Sequence, residues 1–241
     1  MEQIKPYKGK FDYSYTLGAF PTYELLKFMP EKVRCVFVDS SYTDRKKLEG
    51  LCEKAGVRLI EDDKTIRRLS DKENVYVIGV FDKYESKLNK DKSHIMLVNP
   101  GNMGNAGTII RTAIALNITD LAIISPGVDC FNPKVVRSSM GALFHMNIQY
   151  FEDYESYAKL FCTKDSKREN FAFMLTAEEQ LTVSTCPKPE LFTLIFGNEA
   201  TGLPEDYKEK AHPIIIPQSE MVDSLNITIA AGIGMYMFTS K

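Results

Sequence analysis

The chemistry open to this chain is concentrated in three short segments, each mixing glycine with polar side chains. The first is Asn99-Pro-Gly-Asn-Met-Gly-Asn-Ala-Gly107, which runs into TIIRTAIAL. Glycines let a backbone approach a ligand closely, and the N-terminus of the following helix favours an anion. Gly101, Gly104 and Gly107 are spaced GxxGxxG, which is not the dinucleotide pattern GxGxxG, and no phosphate-loop lysine follows. Arg111 stands among Ile109, Ile110, Ala113 and Ile114. On the surface it would form an ordinary ion pair; turned back over the glycines, its planar fork could grip a phosphate. The second segment is Phe196-Gly-Asn-Glu-Ala-Thr-Gly-Leu-Pro204, where Gly197 and Gly202 bracket Asn198 and Glu199. A polar turn with Glu199 capping the next helix would account for it. The third, Ile216-Pro-Gln-Ser-Glu-Met-Val-Asp-Ser-Leu-Asn226, enters a helix containing Ala230, Ala231, Gly232 and Gly234, with Ser224 as a ready N-cap.

Each segment follows an apolar run that reads as a strand, and ligands of open α/β sheets bind at the carboxyl ends of parallel strands. Strands are predicted at 95–98, 121–124, 147–151, 171–175, 191–196 and 214–216, with helices at 108–116, 133–141, 154–162 and 224–238. Such doubly apolar strands suit a parallel sheet covered by helices. A smaller α/β module precedes them. It has strands at 33–38, 57–60 and 75–81, a helix after Pro21 that Pro30 stops, a helix at 46–55 that Gly56 ends, and a short helix at 66–69. The polar, lysine-rich stretch 83–93 marks the boundary, giving units of 1–90 and 94–241. The opening segment interleaves Lys5, Lys8 and Lys10 with Tyr7, Phe11, Tyr13 and Tyr15. It could stack bases while gripping phosphates, or its aromatics could pack on the module.

Composition narrows the function further. Net charge is −2, yet residues 1–94 carry 19 Lys+Arg against 16 Asp+Glu and the remainder 11 against 16. A basic front half hints that it meets an anion. Five scattered cysteines without a CxxC pair suit reduced thiols in a cytoplasmic protein. His94, His145 and His212 lack zinc-like spacing, so no metal is expected. The most apolar stretch, Leu225–Phe238, is too short to span a membrane, and the polar start shows no signal-peptide core.

Taken together and in order, the three segments resemble the motifs of the SpoU/TrmH family of SPOUT methyltransferases. The first motif is matched by Asn105, Gly107, Thr108, Ile109, Arg111, Thr112 and Ala113. The second is matched from Phe196 to Leu203, and the third by Ile216, Pro217, Ser224, Leu225 and Asn226. The likeness covers about 95–241. Asn102 partly duplicates the first motif, but the spacing to Arg111 favours Asn105. Glu220 stands where the third motif often has glycine. The resemblance implies a trefoil-knotted parallel sheet, a homodimer, S-adenosylmethionine as cofactor, and methylation of a ribose 2′-hydroxyl in rRNA or tRNA. It implies cofactor contacts at Thr176, Gly197, Asn198, Ile216, Ser224, Leu225 and Asn226, largely through backbone groups. Arg111 would bind the phosphate beside the target hydroxyl, Glu199 would orient Arg111 or the substrate, and Asn105 and Asn226 would shape the pocket. The front module more loosely resembles the ribosomal-protein-L30e-like domain that selects RNA in such enzymes.

Two rival readings remain open on the sequence. A nucleotide-dependent oxidoreductase would use the glycine turn, with Asp129 as its ribose acid, but leaves the second and third segments unexplained. A SPOUT protein that binds RNA without catalysis would need no Arg111, Glu199 or Asn226, all of which are present.

Overall fold

A computed structural model describes residues 4–70 and 72–240. They fall into two units, Met1–Tyr84 with Asp129–His145, and Glu85–Val128 with Met146–Lys241. The first unit is therefore not continuous in sequence.

In the first unit, strands β1 (Tyr13–Tyr15), β2 (Val33–Val38), β3 (Leu59–Glu61) and β4 (Val77–Asp82) form a sheet of order β1-β4-β2-β3. β2 and β3 are parallel, whereas β4 is antiparallel to both its neighbours. Helices α1 (Ala19–Phe28), α2 (Arg45–Ala55) and α3 (Asp63–Leu69) cover it, and the returning segment adds the short helix α5 (Pro133–Ser138). α2 stops where expected, because Gly56 takes the left-handed conformation (φ 66°) that closes a helix C-terminus. The aromatic opening packs on the unit. Tyr13 and Tyr15 are buried in β1, Phe11 stacks on Tyr13 at 5.1 Å between centroids, and the Tyr15 hydroxyl accepts the Tyr7 amide at 3.1 Å. β1 escapes sequence reading because three residues are too few to show a period. Its pairing to β4 supplies what its length does not.

The second unit is a seven-stranded sheet built from β5 (His94–Val98), β6 (Asp120–Ile124), β7 (Asn147–Phe151), β8 (Arg168–Phe173), β9 (Glu179–Gln180), β10 (Leu191–Phe196) and β11 (His212–Ile215). Its order is β7-β6-β5-β10-β8-β11-β9, and every pairing is parallel. β5 and β6 are buried at every position, which only a sheet covered on both faces allows. Helices α4 (Met103–Ala115), α6 (Tyr154–Phe161), α7 (Tyr207–Lys210) and α8 (Ile227–Thr239) do the covering, with α4 and α8 packed together. No helix among the described residues is long and apolar enough to cross a membrane.

In the second unit two helix starts differ from expectation, and asparagine is the reason in both. α4 begins five residues before the predicted Thr108, because the Asn102 side chain accepts the amides of Gly104 (2.8 Å) and Asn105 (3.1 Å). Half of the predicted glycine loop is thus helix. α8 begins at Ile227, not Ser224, since Asn226 is the cap, accepting the Thr228 amide at 2.8 Å.

Beneath the sheet's opposite end lies a buried polar network. His94 bonds the Tyr157 hydroxyl through Nδ1 and the Asn89 carbonyl oxygen through Nε2, each at 2.8 Å, and Tyr157 meets Thr193 at 2.7 Å. Arg168 donates to the carbonyls of Lys90, Lys92 and Phe192, tying the entering segment to the sheet. Burial first, and Arg168 second, push the His94 imidazole down to about 4. The unfolded chain therefore takes up a proton near pH 6.5 that the folded one refuses. This contribution is complete above pH 6.5 and is lost as pH falls toward 4, amounting at most to about 3 kcal/mol. Thermal melts from pH 7.5 to 4.5 should show a steeper decline for the native chain than for His94→Gln. Equal slopes would refute the assignment.

Candidate functional site

The second unit's strand order brings the carboxyl ends of β5, β10, β8 and β11 side by side. In the β5–β10 pair Phe196 lies opposite Leu97, so the chain leaves both strands at the same level. Two of the three motif segments emerge there, and side chains stitch them together. The Asn198 Nδ2 donates to the Asn99 carbonyl at 2.8 Å. Glu199 accepts the amides of Gly101 and Asn102, both at 3.1 Å, and Nδ2 of Asn105 at 3.3 Å. Glu199 does not cap the helix that follows it; its carboxylate serves the start of α4, where free amides and the helix dipole favour a negative charge. Partial burial opposes the charge of Glu199, but these N–H donors outweigh it and hold the carboxyl below its ordinary range.

The second segment closes on itself as a tight turn. The amide of Gly202 donates to the Asn198 carbonyl at 2.9 Å, the Asn198 amide returns to the Gly202 carbonyl at 3.2 Å, and Gly202 is left-handed (φ 68°). The Asn198 Oδ1 accepts the amides of Ala200 and Thr201. Its side chain is therefore spent on shape. At Gly197 a Cβ would sit 2.2 Å from the backbone carbon of Gly202, so only glycine fits.

Between this turn, the chain after β8 and the third segment opens a cavity of about 340 Å3, within the range of small-molecule sites. Phe173, Phe196, Leu203 and Ile214 supply apolar wall. Thr176, Gly197, Asn198, Glu199, Ile216, Ser224 and Leu225 all line it. α8 reaches the cavity through Ile227 and Ala230 and packs closely on the wall, because a Cβ at Gly234 would lie 2.5 Å from the Phe173 ring.

Three predicted residues stand outside the lining. Asn105 is linked to it only through Glu199, and Asn226 is occupied as the α8 cap. Arg111 is exposed on α4 and forms no ion pair or side-chain hydrogen bond with any described residue. Glu199 and Arg111 are not paired. Asp129, the acid required by an oxidoreductase, lies in the other unit, where it accepts from Tyr7, from Lys83 at 3.1 Å and from the Phe131 amide at 2.9 Å.

Two lining residues went unremarked in the sequence. Gln218 Oε1 accepts the Leu225 amide at 3.2 Å, tying together the ends of the third segment. Glu205 accepts the Thr176 hydroxyl at 2.9 Å, joining the chain after β8 to the second segment. Both lie within or just beyond the motifs, but only the fold shows which partners they meet.

A family model described as the SpoU rRNA methylase family matches residues 92–236. The chain belongs to that family. The match covers the sequence from just before β5 almost to the end of α8, as the three motifs imply. Among curated relatives, an uncharacterized tRNA/rRNA methyltransferase of Synechocystis is 33% identical over 55% of this chain and 47% of its own length. The 23S rRNA (guanosine(2553)-2′-O)-methyltransferase RlmP of Bacillus subtilis is 30% identical over 63% of this chain and 60% of its own. The chain thus spans about half to three-fifths of the length of these relatives. Among solved structures, the SpoU methyltransferase AviRb of Streptomyces viridochromogenes, determined with AdoMet, superposes with a TM-score of 0.82. It is 20% identical over 95% of this chain and 89% of that one, a likeness of fold.

Proposed function

We propose that this protein is an S-adenosylmethionine-dependent methyltransferase acting on a ribose 2′-hydroxyl of rRNA or tRNA. The observation that carries this reading is the cavity itself. Family membership comes with a ligand-sized space lined by Thr176, Gly197, Ile216, Ser224 and Leu225, bounded by a glycine that tolerates no side chain. Its apolar wall and exposed backbone suit an adenine ring read by main-chain donors and acceptors. The cofactor would supply an electrophilic methyl group on a sulfonium. What the chain must add is alignment of the attacking oxygen with that carbon, and a grip on the RNA. Arg111, exposed and unpaired among the described residues, is suited to hold a phosphate. A guanidinium cation has no lone pair free to accept a proton, so its role is orientation of the neighbouring hydroxyl. Incubating the full chain and labelled S-adenosylmethionine with rRNA or tRNA from cells lacking the protein should yield one 2′-O-methyl site. RNA that stays unmethylated in both pools would remove the assignment.

The chain would act as a homodimer. α8 turns Ala231, Met235 and Phe238 inward while Ile229 (54%), Ile233 (37%) and Tyr236 (62%) stand exposed at helical spacing, an apolar stripe unusual on a monomer. Ile229→Asp with Tyr236→Asp should convert a dimer to a monomer in sedimentation experiments; an unchanged dimer would put the interface elsewhere. The first unit would act as an L30e-like module that selects RNA. Its basic residues support this, with Lys8 and Lys10 exposed. Reversing both to glutamate should weaken RNA binding severalfold while cofactor affinity stays constant, and unaltered RNA affinity would refute it. A trefoil knot would thread the second unit, a reading supported by the insertion of β10 between β5 and β8; an experimental chain trace that straightens when its ends are pulled would exclude it. Acting on rRNA or tRNA, the protein would work in the cytoplasm.

A further inference from the structure

The third segment forms one side of the cavity, yet very little holds it. Ile216, Gln218, Ser224 and Leu225 belong to the lining, while residues 219–224 are exposed and Met221 is 90% exposed. Among the described residues, no hydrogen bond between main-chain groups involves 217–225. No residue from 217 to 225 takes the left-handed backbone, not even Glu220, at the position where the motif often has glycine. Turn geometry therefore does not fix this loop, and its hydrogen bonds all come from side chains. Ser219 Oγ accepts the Met221 amide at 3.2 Å, a contact only two residues long. The others belong to Gln218, whose Oε1 accepts the Leu225 amide at 3.2 Å and whose Nε2 donates to the Asp223 carbonyl at 3.5 Å. Gln218 alone spans the loop, joining a residue close after β11 to one close before α8.

We propose that Gln218 is a positioning residue for cofactor binding: its carboxamide cinches the third segment, so that Ser224 and Leu225 form the cavity wall before a ligand arrives. The inference rests on the reading that S-adenosylmethionine occupies this cavity. An exposed loop without main-chain bonds samples many shapes, and a ligand that needs one of them must suppress the rest. Gln218 does this in advance, which reduces the ordering that binding has to impose. The same bond bears on recognition. The Leu225 amide already donates to Gln218, so what Leu225 has left to offer a ligand is its carbonyl oxygen and its side chain. Gln218 acts through the loop and not on the reacting atoms. Its loss should weaken binding and leave methyl transfer from the bound cofactor unchanged.

Gln218→Met keeps the length of the side chain and removes both polar groups. In the ligand-free full chain, hydrogen exchange at the Leu225 amide should accelerate about fivefold, the scale of one net hydrogen bond. The dissociation constant and the KM for S-adenosylmethionine should rise by about the same factor. With rRNA and tRNA from cells lacking the protein, kcat at saturating cofactor should not change, and neither should the melting temperature. Gln218→Glu keeps the acceptor for Leu225, so in about 0.5 M salt, which screens the added charge, affinity should return to within about twofold of the native chain. Unchanged affinity in Gln218→Met would overturn the proposal, as would Leu225 exchange that does not respond or a fall in kcat with affinity intact. Ala230→Phe tests the underlying reading separately, since Ala230 lines the cavity. A chain that melts normally but no longer binds S-adenosylmethionine supports the cavity as the cofactor site, leaving Gln218 to be judged by its own variants. Full binding in Ala230→Phe would remove that site and the role of Gln218 with it.

Discussion

Gly197→Ala is expected to raise the dissociation constant for S-adenosylmethionine by at least about 100-fold, equivalent to roughly 2.7 kcal/mol. The added methyl group would lie 2.2 Å from the carbon and 2.3 Å from the oxygen of Gly202, and 2.3 Å from the Leu203 nitrogen. All three are backbone atoms. They cannot swing aside as a flexible side chain would, so the turn must open. Opening it breaks the two backbone hydrogen bonds between Asn198 and Gly202 and displaces Glu199, which holds the first segment. Overpacking of this kind commonly costs about 1–3 kcal/mol in stability as well. Gly202→Ala is the informative control, because nothing lies within 4 Å of its missing Cβ and only its left-handed backbone (φ 68°) is strained. That strain costs about 1–2 kcal/mol, so Gly202→Ala should bind the cofactor more nearly normally. Titration of the two variants decides the matter: wild-type affinity in Gly197→Ala would mean the cavity is not where the cofactor sits.

The second large effect concerns the RNA side. Arg111→Ala should lower methyl transfer by about a thousandfold or more, on the scale of losing a positioned charge stabiliser. Cofactor affinity should stay within about threefold and the melting temperature should hardly move, since surface substitutions away from special features usually change stability by less than about 0.5 kcal/mol. Both expectations rest on one fact: Arg111 is exposed and tied to no described residue. Arg111→Lys keeps the charge but not the bidentate fork, so it should restore only part of the rate. Single-turnover methylation and calorimetry on the same preparations separate the possibilities. Loss of cofactor binding in Arg111→Ala would make the residue structural.

Much of the second unit is legible without coordinates. β7 and β10 fall on the residues their apolar runs mark, and β2 in the first unit does the same. β10 and most of β2 are buried on both faces, so an unbroken apolar run of strand length marks them, whereas β7, at the sheet edge, is only partly buried. Family membership is legible for a different reason. The asparagines, glycines and Glu199 are needed for backbone geometry at fixed points, so they persist as a spaced pattern. Boundaries read less well where a polar side chain chose between turn and helix. Asn102 drew Gly104 and Gly107 into α4, although glycine alone argues for loop, and Asn226 outcompeted Ser224 as a cap.

The make-up of the site and its family can be read along the chain, because both reside in local chemistry that recurs in a fixed order. Tertiary structure decided the pairings. It assigned Glu199 to the amides of Gly101 and Asn102, about a hundred positions away in sequence, and left Arg111 without a partner among the described residues. It returned Asp129–His145 to the first unit and set Glu205 against Thr176. The physical reason is range. Caps, turns and strand periods are settled within a few residues, whereas the partner of a side chain depends on which strands lie side by side in the sheet, and no local pattern records that order.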